Sequence, residues 1–252
     1  MRGKTSEPAA GTRPAGVKAG QEGAHVRGMF DRIAPTYDRA NHLLTLSVDR
    51  WWRWRTVGLL RRKLAAGGAE LAGARVLDVC CGTGDMALAL RAGLAGTRIT
   101  GADFSRAMLL RARAKAPGVD WVQADALHLP CRDGSCSALA SAFGFRNLSD
   151  YRAGLAEFYR CLRPGGVLAI LEISRPSAPL LRQLYPFYFE HVLPRVGGWI
   201  SGDAGAYRYL PDSVSRFPSP PELVRWMRAS GFGEAGFLRL AGGIAALHLA
   251  VK

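Results

Sequence analysis

The sequence predicts an α/β fold in which helices cover both faces of a mostly parallel, seven-stranded sheet. Short apolar runs of strand length alternate with helical patterns of roughly 10 to 15 residues, which is typical of parallel sheets. A glycine-rich turn directly follows the first apolar run. The length of 252 residues, with 48% hydrophobic and 21% charged residues, fits one globular domain.

The alternation begins at residue 75 and continues almost to the end of the chain. Strands are predicted at residues 75–80, 98–103, 119–123, 136–143, 167–173, 237–240 and 244–251. Helices are predicted at residues 84–95, 105–116, 150–162 and 221–230. Ser105 is the expected N-cap of the second of these helices, because its hydroxyl can accept a bond from a free backbone N–H group.

Composition divides the chain into a leader and one domain. Residues 1–24 lack apolar periodicity and predict a disordered basic leader before a single domain at 25–252. That domain opens with an N-terminal helical segment, 25–66, broken at Pro35. Prolines and aromatic residues interrupt the alternation at 174–218, which predicts a cap inserted over the carboxyl edge of the sheet.

The N-terminal segment ends in a predicted basic, amphipathic helix that starts near Asp49, its expected cap. The apolar stripe of this helix is expected at Trp54, Val57, Leu60 and Leu64, with Arg53 pointing elsewhere. Trp51, Trp52 and Trp54 form a cluster at its start. Two interpretations stay open: docking on a membrane surface, or packing against the domain.

The net charge of +14 favours an anionic partner such as nucleic acid, acidic lipid or an anionic substrate. Residues 1–63 hold 13 of the 34 Lys and Arg but only 5 of the 20 Asp and Glu, so the excess lies mainly there. The chain has no apolar run of transmembrane length and no signal-peptide core, so we expect a cytoplasmic protein. Its five cysteines lack zinc-site spacing, and we expect no metal.

The most informative local pattern is the glycine loop after the first strand. Asp78 ends that strand, Gly82 and Gly84 form the loop, and Asp103 ends the second strand. This spacing admits a dinucleotide, with the second carboxylate on the ribose. Asp78 argues against it, because a carboxylate repels a pyrophosphate but attracts an ammonium and a sulfonium. S-adenosylmethionine carries both cations and a ribose.

The full pattern resembles class I S-adenosylmethionine-dependent methyltransferases. It continues with Asp125-Ala126 after the third strand, where such folds meet adenine, and with Arg163-Pro-Gly-Gly166 before the fifth. The resemblance implies the Rossmann-like fold of that class and S-adenosylmethionine as cofactor. The implied cofactor-binding residues are Asp78, Gly82, Thr83, Asp103, Asp125 and Ala126.

Segments outside the cofactor motifs resemble the ubiquinone/menaquinone-biosynthesis C-methyltransferase family. They include residues 29–38 (MFDRIAPTYD), 143–147 (FGFRN), 171–176 (LEISRP) and 242–248 (GGIAALH), in order along the chain. The resemblance implies methyl transfer from S-adenosylmethionine to a ring carbon of a polyprenylated quinol. Demethylmenaquinol is the expected substrate, and the benzoquinol precursor of ubiquinone is the alternative.

Chemistry suggests which residues act on such a ring. Arg146 follows the fourth strand, where substrate and cofactor meet in open α/β sheets, and it could stabilise a quinolate. A structural ion pair between Arg146 and Asp203 is the alternative. The candidates for orienting the ring are Tyr37, Asn147, His191, Asp203 and Tyr207. His248 is expected to be a core residue rather than a catalytic one.

The prenyl tail of such a substrate lies in a bilayer, so we expect a peripheral association with an anionic membrane surface at its inner face. The basic N-terminal region with its three tryptophans is the expected contact. Three rival functions remain: an RNA methyltransferase, a non-catalytic cofactor-binding scaffold of a quinone-pathway complex, and a nicotinamide oxidoreductase. The N-terminal location of the charge excess argues against nucleic acid as partner.

Overall fold

The computed structural model describes residues 19–192, 195–196, 198–199 and 204–252. Seven strands form one sheet: β1 (Arg75–Val79), β2 (Arg98–Asp103), β3 (Asp120–Gln123), β4 (Cys136–Ala142), β5 (Leu162–Ile173), β6 (Glu234–Leu240) and β7 (Ala245–Val251). Their order is β3-β2-β1-β4-β5-β7-β6. Neighbouring strands from β3 to β5 pair in parallel, whereas β7 runs antiparallel to β5 and β6. The predicted fold class is therefore confirmed.

The helices cover both faces of this sheet. They are α1 (Ala19–Ile33), α2 (Tyr37–Leu44), α3 (Val48–Ala66), α4 (Asp85–Gly93), α5 (Arg106–Lys115), α6 (Tyr151–Cys161), α7 (Pro179–Phe187), α8 (Ala204–Arg216) and α9 (Pro220–Ala229). A short π-helical turn, Tyr188–Val192, follows α7. The predicted cap region thus contains α7 and α8.

Alternating side chains of the central strands build two separate cores. On one face, β-strand residues such as Val76 and Ala138 pack with α3 and α4. On the other face, the next residues along the same strands, such as Leu77 and Leu139, pack with α6 and α9. Because both faces are covered, the central strands are nearly continuous apolar runs, as the sequence indicates.

The caps of two helices follow from their sequences. The Ser105 hydroxyl accepts a bond of 3.1 Å from the Met108 N–H group at the start of α5, as predicted. The Asp150 carboxylate accepts bonds from the Arg152 and Ala153 N–H groups at the start of α6. These caps fix where each helix leaves the sheet edge that carries the site.

The predicted leader, residues 1–24, is wrong for residues 19–24, which belong to α1. Gly20 and Gly23 weaken the helix propensity of this stretch, and the helix gains its stability from buried Met29 and Ile33 further along. Residues 1–18 lie outside the described residues. The predicted break at Pro35 is confirmed, since α1 ends at Ile33 and α2 begins at Tyr37.

The register of α3 differs from the prediction. Trp52, not Trp54, is buried with Val57, Leu60 and Leu64, and Trp54 is 67% exposed. Arg53 is buried too, so it does not point away from the domain. Positions 53, 57, 60 and 64 follow the 3.6-residue period of a helix more closely than positions 54, 57, 60 and 64 do.

Asp49 does not cap α3. The helix begins at Val48, so Asp49 lies inside its first turn and is buried. Its carboxylate accepts bonds from Arg53 one turn later, from the Thr45 hydroxyl at 2.8 Å and from the His42 ring at 3.0 Å. Asp49 therefore ties the end of α2 to the start of α3.

Candidate active site

A cavity of about 1040 Å³ lies at the carboxyl ends of β1, β2 and β4. Starting from β1, the sheet continues through β2 and β3 on one side and through β4 and β5 on the other. Open α/β sheets bind ligands where the strand order reverses in this way. Side chains from α1, α2, α3 and α8 complete the wall. Ligand cavities usually measure about 300–1,000 Å³, so this one has room for a cofactor and part of a second molecule.

The glycine loop forms the floor of the cavity. Gly82 has a φ of +54° and its N–H group donates to the Asp103 carboxylate at 2.8 Å. Gly84 has a φ of +89°, and a Cβ atom there would lie 2.6 Å from the Trp121 ring. Both positions therefore require glycine, for the turn and for close packing against β3.

Asp78 is fully buried at the end of β1 and lines the cavity. Neither carboxylate oxygen has a hydrogen-bond partner of good geometry among the described residues, and the Ala87 N–H group in the first turn of α4 gives it only weak support. Burial raises the pKa of the Asp78 carboxyl well above its ordinary range, although Arg53 opposes this effect. A buried carboxylate without a partner is costly unless a ligand supplies a cation or donor.

Asp103 is buried at the end of β2, and its position is fixed by the backbone. One carboxylate oxygen accepts from the Gly82 N–H group and the other from the Ser105 N–H group, each at 2.8 Å. Burial raises the pKa of Asp103 to about 6, and these two bonds oppose the rise. The carboxylate is therefore held in one orientation at the cavity wall, where it can also accept hydroxyl donors.

The remaining predicted cofactor residues also line the cavity. Asp125 is exposed and accepts a bond from the Leu127 N–H group at 2.9 Å, while Ala126 is buried beside it. Thr83 is buried, and its hydroxyl donates to Asp38 of α2. The structure thus brings all six predicted cofactor residues to one cavity.

Arg146 lies in a short 3₁₀ turn, Phe145–Asn147, after β4 and lines the cavity. Its Nη1 donates to Glu172 at 2.8 Å and to the Phe143 carbonyl, and its backbone N–H group donates to Glu172 at 3.0 Å. Glu172 is fully buried in β5. The ion-pair partner of Arg146 is therefore Glu172, and Asp203 lies outside the described residues.

The other predicted substrate residues have different outcomes. Tyr37 and Asn147 line the cavity. His191 is exposed, stacks on Phe187 with ring centroids 5.2 Å apart, and does not belong to the cavity wall. The Tyr207 side chain, like Asp203, is not described.

His248 is buried in β7 beside Phe237, as predicted for a core residue. Burial lowers its pKa to about 4, so the ring is neutral at physiological pH. His248 does not line the cavity. The expectation that it is not catalytic is consistent with this position.

Sequence reasoning missed two cavity residues, Arg53 and Tyr209, and the buried Glu172 that pairs with Arg146 behind the cavity wall. Arg53 lies 3.8 Å from Asp85, and its guanidinium is 5.2 Å from the centroid of the Phe143 ring. The helical spacing from Arg53 to Val57 could have placed it on the inner face of α3. Tyr209 comes from α8, and nothing local in the sequence marks it.

These features together suit S-adenosylmethionine better than a dinucleotide. The partnerless Asp78 carboxylate can accept the ammonium of the cofactor, and Asp103 can accept its ribose hydroxyls. Asp125 and the Ala126 N–H group can meet the adenine. A pyrophosphate at this loop would face Asp78 without a compensating cation of its own.

Comparison with known proteins supports this assignment. A sequence model of the ubiE/COQ5 methyltransferase family matches residues 18–252. The chain belongs to the ubiE/COQ5 methyltransferase family. The enzyme class predicted from the glycine loop and the flanking segments, an S-adenosylmethionine-dependent methyltransferase, is thereby confirmed.

Relatives within this family are similar over most of their length. A demethylmenaquinone methyltransferase of Deinococcus radiodurans is 44% identical over 95% of this chain and 97% of the relative. One of Thermus thermophilus is 45% identical over 88% and 98%, respectively. A ubiquinone/menaquinone biosynthesis C-methyltransferase of Syntrophotalea carbinolica is 45% identical over 90% and 93%.

Solved structures agree on the fold. A Thermotoga maritima protein described as an S-adenosylmethionine-dependent methyltransferase superposes with a TM-score of 0.59 at 22% identity, over 89% of this chain and 99% of that one. The [4+2]-cyclase SpnF superposes with a TM-score of 0.62 at 20% identity, over 94% and 97%. At 20–22% identity, the structural similarity establishes the fold of this chain and not its substrate.

Proposed function

We propose that this family member transfers a methyl group from S-adenosylmethionine to a ring carbon of demethylmenaquinol, giving menaquinol, S-adenosylhomocysteine and the proton that the methyl group replaces on the ring. The observation that carries the proposal is the 44–45% identity, over nearly the whole chain, to relatives named for this reaction. The cavity supports it, because the cofactor-type carboxylates and Arg146 line the same space, and Arg146 is held there by the buried Glu172.

Asp78 and Asp103 hold the cofactor in this proposal, and Asp125 with Ala126 selects the adenine. When bound, S-adenosylmethionine supplies an electrophilic methyl group on a sulfonium. Asp103 would hold the ribose in one place, because its carboxylate is itself fixed by the Gly82 and Ser105 N–H groups. Orienting two bound reactants can lower a barrier by roughly 7–11 kcal/mol in favourable cases.

The ring carbon of a hydroquinone is a weak nucleophile until a phenolic proton leaves. We assign stabilisation of the resulting phenolate to Arg146, since arginine rarely gives up a proton and therefore acts as a cation rather than a base. Within the described residues, the bonds from the guanidinium to the protein all use Nη1 and the buried Nε has no partner, so the protein does not use all five N–H donors of Arg146. Glu172 fixes the guanidinium at the cavity wall.

Tyr37 and Asn147 orient the ring in this proposal, and Tyr209 joins them from α8. Burial raises the pKa of Tyr37, despite the nearby Arg146 and Arg53, so its phenol is a neutral donor at physiological pH. His191 is not assigned a role, because it is exposed and outside the cavity wall.

The substrate requires access to a bilayer, because a polyprenyl tail partitions there. None of the described helices is long and apolar enough to cross a membrane. We infer that the protein meets its quinol peripherally, at an anionic inner membrane surface. Of the three tryptophans expected to dock, Trp52 is buried, so only Trp51 and Trp54 are available.

A methyl-transfer assay with labelled S-adenosylmethionine tests the proposal. The panel contains reduced demethylmenaquinol, the demethylated ubiquinol precursor and bulk RNA. We expect label in demethylmenaquinol. Label in the benzoquinol alone would shift the assignment to the ubiquinone pathway, and label in RNA alone would contradict quinol chemistry altogether.

A further inference from the structure

The connection between α2 and α3 carries apolar side chains that face solvent. We define the apolar patch as Leu43, Leu46, Val48, Trp51 and Trp54, all of them exposed. Leu46 is 81% exposed. Val48, Trp51 and Trp54 follow one another at intervals of three residues and form a stripe along α3. The opposite face of α3 is also apolar and is already buried in the core.

The backbone of this connection is strained. Leu46 and Ser47 have φ values of +50° and +60°, a left-handed conformation that few residues other than glycine adopt. Bonds hold the strain in place: the Ser47 N–H group donates to the His42 carbonyl at 2.6 Å, and Asp49 accepts from Thr45 and His42. Strained positions of this kind concentrate where a surface has a function.

The exposed charges within the segment that carries the patch have one sign. Between residues 39 and 55 the exposed charged side chains are Arg39 and Arg50. Asp49, the acidic residue of that stretch, is buried and paired with Arg53. An apolar patch with a basic border complements an anionic phospholipid surface, since apolar side chains enter the headgroup region and arginines meet the phosphates.

The same two helices line the cavity from their other side. Tyr37 of α2 and Arg53 of α3 are cavity residues. The cap is attached at this connection as well, because the Tyr188 hydroxyl donates to the Leu44 carbonyl at 2.7 Å. A membrane bound to the patch would therefore lie against the elements that form the site.

We propose that the apolar patch inserts into the headgroup region of an anionic phospholipid bilayer and presents the cavity to lipid-borne quinol. This proposal rests on the proposed function only in naming the quinol. Membrane insertion itself is a property of the patch and is measurable without cofactor or substrate.

Vesicle flotation of the full chain tests the insertion. The vesicles contain phosphatidylglycerol and phosphatidylcholine, and a second set contains phosphatidylcholine alone. We compare the wild type with Leu46→Asn and with the matched control Leu110→Asn, at a 56% exposed leucine on α5. We expect Leu46→Asn to lower the bound fraction at least five-fold on anionic vesicles, and Leu110→Asn to leave it unchanged.

Leu46→Asn is chosen because asparagine tolerates the left-handed conformation better than leucine. The melting temperature of the variant should therefore equal or exceed that of the wild type, which separates lost binding from lost folding. Equal flotation of Leu46→Asn and wild type would overturn the proposal. A second result would also overturn it: neither protein floats, the wild type is a dimer and Leu46→Asn is a monomer. The patch would then bind a second copy of the chain.

Turnover separates this proposal from the proposed function. With a tail-free quinol in buffer, Leu46→Asn should match the wild type, and with a long-tailed quinol in anionic vesicles it should be slower. A wild type that floats but methylates neither quinol would contradict the proposed function and leave the docking surface supported. If Leu46→Asn and the wild type methylate the long-tailed quinol in vesicles at equal rates, the patch does not bring the cavity to the quinol.

Discussion

Asp78 shows at the scale of one residue why the ligand-free cavity is costly. Its carboxylate is fully buried and has no hydrogen-bond partner of good geometry among the described residues, which weakens the ligand-free fold. Its pKa is raised well above the ordinary value, so the folded state is stabilised as pH falls and loses this contribution as pH rises. A cationic ligand at Asp78 offsets the cost.

This predicts opposite effects of Asp78→Asn on binding and on stability. S-adenosylmethionine affinity should fall at least ten-fold, about 1.4 kcal/mol, because a charge-assisted bond is lost. The free energy of unfolding at neutral pH should be unchanged or higher, because a buried charge is removed. Calorimetric titration and denaturant unfolding measure the two quantities.

The control for this variant is Asp120→Asn, an exposed carboxylate at the start of β3 outside the cavity wall. It should bind the cofactor as the wild type does. Asp78→Asn with wild-type affinity would show that the carboxylate does not hold the ammonium.

At the scale of elements, α3 contributes side chains both to the core and to the apolar patch. Its inner face buries Trp52, Val57, Leu60 and Leu64, and its outer face exposes Trp51 and Trp54. Both faces are apolar near the start of the helix, so hydrophobicity alone could not tell which one packs inward. The contacts with β5 and α4 select the inner face.

The two faces should differ sharply in stability measurements. Leu60 is completely buried, so Leu60→Ala should cost about 2–5 kcal/mol of unfolding free energy. Trp54→Ala should stay within about 0.5 kcal/mol of the wild type, because Trp54 is largely exposed. Denaturant unfolding compares them, and a larger loss for Trp54→Ala would refute the register described for α3.

Much of the fold was predictable because its strands are short apolar runs separated by clear turns. The glycine loop, Asp103 and Asp125 were predictable for the same reason, since each lies at the carboxyl end of a strand or begins within three residues of it. Contacts between distant segments were not: Glu172 pairs with Arg146 across 26 residues, and Tyr209 reaches the cavity from α8. Such pairings depend on how strands and cap pack, which no local pattern reveals.

At the scale of the whole molecule, the sheet, the N-terminal helices and the cap converge on one cavity. Asp31 of α1 accepts from the Ser105 hydroxyl at 2.5 Å, and Asp38 of α2 accepts from Thr83 and from Lys115. These bonds join the N-terminal helices to the glycine loop and to α5. The segment that carries the apolar patch is thus attached to the residues proposed to bind the cofactor.

Methylation at carbon is tested by locating a ¹³C methyl group after turnover. The enzyme is given S-adenosylmethionine labelled at its methyl carbon and reduced demethylmenaquinol, and the product is analysed by carbon NMR. If the methyl group is transferred to carbon, the product is menaquinol and its labelled methyl group is bonded to a ring carbon. Label on a quinol oxygen, or an unlabelled quinol beside intact S-adenosylmethionine, would contradict the account.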